Sequence, residues 1–198
     1  MKKAILISIR PNWVAKILNG EKTIEIRKTM PKCDLPIDVY IYCTWGYKNE
    51  TLYMRNYDYH FNKKIGGYCG FNGRVVAKFT LNKVEKISLP YTKFGKLEWV
   101  GCEEERTLQT ISLDEKDLLK LSCLTESEIY KYLNFNKKPC GYAWHIDNLE
   151  IFDRPKELSE FKQIKKVNCY NADFDYESVE ERQYPLTRAP QSWCYIEV

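Results

Sequence analysis

Apolar and polar positions alternate at the start of the chain: over residues 4–9, Ile5, Ile7 and Ile9 fall on one side and Leu6, Ser8 and the following Arg10 on the other. That period of two is the signature of a strand, because successive side chains point to opposite faces of a sheet. A second short run repeats it, with Ile24 and Ile26 set against Thr23, Glu25 and Arg27. Residues 11–19 between them read as a helix of about two to three turns. Pro11 suits its first position, and Gly20 suits the left-handed residue after its end. Each strand thus has one face ready for a core. If the two strands are neighbours in one sheet, Ser8, Arg10, Glu25 and Arg27 converge on the face away from that core as a net positive group.

Further along, residues 38–45 read as a strand rich in β-branched and aromatic residues that belongs inside the sheet. Residues 46–73 show no sustained period and read as an insertion; Tyr47, Tyr53, Tyr57 and Tyr59 either pack it or offer stacking surfaces. From 74 to 87 the pattern returns to a single strand, with Val75, Ala77, Phe79 and Leu81 on one face. Two capping boxes follow, at Ser112 to Glu115 and Thr125 to Glu128, each predicting a helix start. Leu118, Leu119, Leu121, Ile129, Tyr130 and Leu133 supply the apolar sides of those helices. Residues 142–151 read as one strand with His145 opposite to Trp144, and 155–161 as a short helix opened by a proline. The polar stretch 162–188 lacks a clear period and is expected to wrap the surface, before 192–198 closes the sheet. The reading is one domain over 1–198 with insertions near 46–73 and 162–188.

Composition narrows the class. With 198 residues, 44% hydrophobic and 29% charged, the chain fits a soluble globular protein able to bury a sizeable core. No apolar run approaches the roughly 20 residues that span a bilayer, so no membrane association is expected. The opening lysines and short apolar stretch are interrupted by Arg10, Pro11 and Asn12, and read as the first strand, not as a targeting segment. A formal net charge of +4 is compatible with an anionic ligand and too small to argue for nucleic acid alone. The eight cysteines are scattered with no Cys-x-x-Cys pair, which points to a reducing, cytoplasmic compartment. With His60 and His145 the sole histidines and neither at ligand spacing from a cysteine, no metal is expected. No cofactor is expected either. Cys194 has no neighbouring base and reads as a small buried hydrophobe.

Glu25 and Arg27, taken alone, are open to being a solvated surface pair of little energetic weight. The surrounding run Gly20, Lys22, Glu25 and Arg27, with Ser8-Ile9-Arg10-Pro11 upstream, resembles the G-x-K-x-x-E-x-R signature of ASCH domains, a branch of the PUA-like superfamily. Later segments, 141–146, 154–161 and 190–197, resemble phage and prophage ASCH proteins. The resemblance implies an α+β, mainly β fold: a bent β pseudo-barrel with short helices at its ends, the two capped helices among them.

It also implies a cleft beside the first helix and the motif strand that receives RNA or a single, often modified, nucleobase. In that setting Arg10, Lys22, Arg27 and Lys28 meet phosphate or base acceptors, and Trp45, Trp144 or Trp193 stacks on a base. Ser8 lines the same face, and Glu25 accepts from an exocyclic amine or holds Arg27 and Lys22. The expectation is an RNA- or nucleotide-binding protein. One alternative is a nucleic-acid-directed hydrolase, because some small ASCH proteins are amidohydrolases acting on acetylated cytidine and ribonuclease activity is associated with the family. Lys22 and Glu25 are then the catalytic pair. Glu25 stands where those amidohydrolases carry a threonine, and Thr23 is a substitute on the same face. The other alternative is a phage protein that sequesters a nucleotide signal in the cytoplasm of a bacterial host.

Overall fold

The computed structural model describes residues 2–45, 52, 61–62, 67–68, 70–88, 115–133, 140–171 and 176–198. In chain order the elements are β1 (Lys3–Ile9), α1 (Pro11–Leu18), β2 (Ile24–Arg27), β3 (Ile37–Cys43), β4 (Phe61–Asn62), β5 (Gly67–Tyr68), β6 (Arg74–Leu81) and β7 (Val84–Ser88). There follow α2 (Glu115–Ser122), α3 (Glu126–Leu133), β8 (Cys140–His145), β9 (Asp147–Lys156), β10 (Lys162–Asn171), β11 (Tyr176–Pro185) and β12 (Trp193–Glu197), with a 3-10 turn at Leu158–Glu160. The class is α+β, mainly β. A seven-stranded sheet runs β11-β10-β12-β1-β3-β6-β9, a three-stranded sheet β2-β8-β7, and β4 pairs with β5. The chain forms two compact units. One comprises Met1–Ala15, Ile37–Phe79 and Glu150–Val198, the other Lys16–Pro36 and Thr80–Leu149.

In the first unit, β1 pairs parallel with β3 and antiparallel with β12, setting Leu6 beside Tyr40 and Cys194, and Ile7 beside Ile41 and Trp193. Every residue from Ala4 to Ile9 is buried. That corrects the expectation of one core face and one site face. Ala4 and Leu6, on the face expected to carry the site, pack into a core with Tyr40, Tyr42, Val75, Phe152, Phe161, Leu186 and Ile196. A central strand with a parallel partner is covered on both sides.

In the second unit, β2 pairs with β8 and β8 with β7. Ile24, Ile26, Ala143 and Ile87 join Leu118, Ile129 and Leu133 of the two helices in a second core. Gly141 permits the close approach: a Cβ there would stand 2.5 Å from Leu133 Cδ1. The capping box of α3 is present, with Thr125 N donating to Glu128 Oε2 (2.8 Å) and Glu128 N to Thr125 Oγ1 (3.3 Å).

Four further expectations change. Residues 74–87 form two strands, not one, because the chain leaves the seven-stranded sheet after Leu81 and enters the three-stranded sheet at Val84. Residues 142–151 divide likewise into β8 and β9, with Asn148 in the left-handed region (φ 48°). Pro155 lies in β9, not at a helix start, and β9 is the edge of its sheet, where a missing N–H costs no ladder bond. The polar stretch after 162 is a ten-residue hairpin pair, β10 with β11. Of the proposed insertion at 46–73, Tyr47, Tyr53, Tyr57 and Tyr59 lie outside the described residues, as does the first capping box over 112–114.

Candidate functional site

The chain enters the motif through the end of α1. Gly20 takes φ 76°, and both Glu21 N and Lys22 N donate to Lys16 O (2.9 and 3.1 Å). This turn lays residues 21–23 against the end of α2: Thr23 N donates to Leu121 O at 2.9 Å, and Thr23 O accepts from Ile146 N at 2.9 Å. Lys22 is consequently buried, at 2% exposure. Its ammonium donates to Ile24 O (2.8 Å) and Ser122 O (2.7 Å) and pairs with Glu25 Oε2 (3.2 Å). Ser122 closes α2, so the positive charge sits at the negative end of that helix. Glu25 in turn holds Arg27, Nη2 to Oε1, at 3.0 Å.

Period-two geometry puts Glu25 and Arg27 on one face of β2, and cross-strand register sets Glu25 opposite Trp144 and Arg27 opposite Tyr142. Both charged side chains are buried, Glu25 at 8% and Arg27 at 5%. Charges so placed must be paired, and these are. The network continues to a residue that sequence patterning missed. Tyr132 of α3 lies near enough to Arg27 and Glu25 for both charges to act on its hydroxyl. Burial pushes the Tyr132 hydroxyl above its ordinary range, Arg27 draws it back and Glu25 raises it again, so the phenol keeps its proton at neutral pH. Tyr132 is 39% exposed, and exposed Lys28 places its ammonium 5.3 Å from the ring centroid. The row Lys22, Glu25, Arg27, Tyr132 thus leads from a buried anchor to a partly exposed ring and the exposed Lys28 cation beside it. Glu25 and Arg27 carry no local signal for Tyr132, which lies far along the chain in the last turn of α3.

On the opposite face of the same sheet, with Ile24 and Ala143, lies a second polar group. Glu85, 4% exposed, pairs with His145 Nε2 at 3.2 Å and with Lys83. The structural role expected for His145 accords with this bond to a buried carboxylate.

The remaining candidates fall elsewhere. The condition on which Ser8 and Arg10 would share a sheet face with Glu25 and Arg27 is not met, since β1 and β2 belong to different sheets. Ser8 is buried and donates to Pro190 O at 2.7 Å, whereas Arg10 is exposed. Thr23 is half-buried, its backbone N–H and C=O both engaged. Trp144 is fully buried and has no solvent-facing surface on which a base stacks. Trp193 is half-buried and edge-on to Tyr195 (5.4 Å, 82°). Trp45 is 77% exposed. Burial drives the thiols of Cys43 and Cys194 up, to about 12 and about 11, and Cys194 is buried as the reading of it as a small hydrophobe expects. Among the described residues no group of three or more His, Cys, Asp or Glu is placed to hold a metal ion, and no helix is long and apolar enough to cross a membrane.

No family model matches the chain, and no curated protein matches it. Among solved structures, it is similar to ASCH from Zymomonas mobilis at 16% identity, over 78% of this chain and 73% of that one, with a TM-score of 0.45. A single-substitution mutant of the same protein gives 14% identity, 78% and 76% coverage and a TM-score of 0.44.

Proposed function

We propose that this is an ASCH-type RNA- or nucleotide-binding protein in which the buried motif residues Lys22, Glu25 and Arg27 fix the strand beside Tyr132 of α3 and Lys28, and these last two face the ligand. The observation that carries the reading is that the three charged residues of the Gly20–Arg27 motif form one buried network with a solvent-facing end. Such a network fixes the strand end that carries Lys28 against the Tyr132 ring, and a surface cation beside an aromatic face suits a phosphate and the base attached to it.

The same geometry favours binding over hydrolysis. An acid or base has to exchange a proton with substrate. The Lys22 ammonium is 2% exposed and directs its protons at two carbonyls and Glu25. Lys22 is on this reading an anchor for the strand, and Glu25 the link that positions Arg27.

The test begins by denaturing the purified protein and identifying released nucleotides or RNA by mass spectrometry. Titration of labelled single-stranded RNA at increasing salt follows, where each phosphate contact contributes a slope of about −0.7 in log K against log salt. Lys28→Ala is expected to weaken binding and lower that slope. Tight, salt-insensitive binding of a mononucleotide points instead to nucleotide capture. Turnover of acetylated cytidine or RNA by the wild type replaces the binding reading with the hydrolase reading. No bound nucleotide, and no affinity for RNA or mononucleotides at low salt, refutes all three.

A further inference from the structure

Trp45 follows β3 directly, and at 77% exposure it exceeds every other exposed large hydrophobic side chain among the described residues. Leaving an indole in water forgoes most of the stabilisation its burial would bring. The fold nevertheless provides a seat for it. Gly73 N donates to Cys43 O at 2.7 Å, which fixes the turn before β6 beside the end of β3. At Gly73 a Cβ would stand 2.5 Å from Trp45 Cζ2, 2.6 Å from Cε2 and 2.9 Å from Nε1. The indole therefore rests on bare backbone that only glycine leaves open, and glycine also suits the φ of 80° there. Arg74 follows at once, its side chain 42% exposed and paired with Glu157, 52% exposed. A surface pair of this sort is weak and readily exchanged for another anion.

We propose that Trp45, seated on Gly73, is a stacking platform for a nucleobase, with Arg74 available to the attached phosphate. The proposal rests on the nucleotide- or RNA-binding reading above and adds to it a contact in the first unit. A planar, π-faced ligand exploits an exposed indole, and the partly exposed Arg74, one residue after the glycine seat, favours one that carries a phosphate.

The experiment compares wild type, Trp45→Ala, Trp45→Phe and Gly73→Ala. Probes are a fluorescein-labelled single-stranded RNA dodecamer, read by anisotropy, and the four ribonucleoside monophosphates, read by calorimetry. Trp45→Ala is expected to weaken binding roughly 5- to 150-fold, the range for loss of one base–aromatic stack. Trp45→Phe should retain most of the affinity, and Gly73→Ala should lose it through displacement of the indole. Both Trp45 variants should keep the wild-type circular dichroism spectrum, since the side chain is exposed. Loss confined to the dodecamer identifies an RNA base as the occupant; loss for monophosphates as well identifies a free nucleotide. Wild-type affinity in Trp45→Ala overturns the platform while leaving the binding reading intact. Absence of any binding by the wild type overturns both.

Discussion

Replacing Lys22 by methionine removes a buried ammonium while nearly keeping its volume, and the structure sets the expected cost. The wild-type ammonium makes two hydrogen bonds to carbonyls and one ion pair, at 2.7–3.2 Å. Charge-assisted bonds are each worth about 1.5–3 kcal/mol, and desolvating the ammonium costs several kcal/mol, so the two sides largely cancel in the intact protein. The mutant regains the desolvation cost. It also leaves Ser122 O and Ile24 O without this donor and Glu25, 11% exposed in its side chain, with Arg27 as its remaining cation. Removing one partner of a buried pair costs about 3–5 kcal/mol, and that is the destabilisation expected of Lys22→Met. Urea denaturation followed by tryptophan fluorescence measures it, with the double cycle Lys22→Met/Glu25→Gln isolating the ionic part. A loss below about 1 kcal/mol, or a cycle showing no coupling, would refute the anchor role and return Lys22 to the catalytic reading.

Three other outcomes are expected. Thr125→Ala removes the hydroxyl half of the α3 capping box and should cost about 1 kcal/mol in denaturation. Hydrogen bonds from the Thr125 N–H and hydroxyl lower the Glu128 carboxyl, so their stabilisation is complete above its ordinary range and lost as the pH falls through the folded value; Thr125→Ala keeps the larger, backbone contribution and should reduce this acid limb only in part. The raised thiols of Cys43 and Cys194, about 12 and about 11, should resist a disulfide reagent at pH 8 in the native protein and react on unfolding. Native labelling of Cys43 as fast as that of half-buried Cys123 would contradict this. Gly141→Ala forces a Cβ within 2.5 Å of Leu133 and should cost about 1–3 kcal/mol by overpacking the helix–sheet core, measured by thermal denaturation.

Local signals were legible where a residue type has one backbone use. Pro11 opens α1, Gly20 ends it at φ 76°, and Thr125 with Glu128 caps α3, because these features depend on neighbours three or four positions away. The charged triad was legible as a motif but not as a network. Nothing in the spacing of Lys22, Glu25 and Arg27 announces that Ser122, a hundred positions later, accepts from Lys22.

Strand existence was readable and strand membership was not. The apolar positions shift phase after Leu81 and again after Ile146, and the chain changes sheets at both places. Period two reports the pleat of one strand and is blind to which strand lies beside it. The hairpin of β10 and β11 escaped notice because it is largely exposed on both faces, so no apolar face marks its period.

By itself the amino-acid sequence determined the strand and helix character of the opening segment, the helix caps, the mainly β class and the motif charges. The tertiary structure alone decided that Ala4 and Leu6 are core, that Trp144 is closed to a ligand, that Tyr132 stands at the end of the Lys22–Glu25–Arg27 row, and that Trp45 rests on Gly73. The division follows from range: caps and periodicity are written within one turn or one pleat, whereas burial and ion pairing depend on whichever distant segments the fold brings alongside.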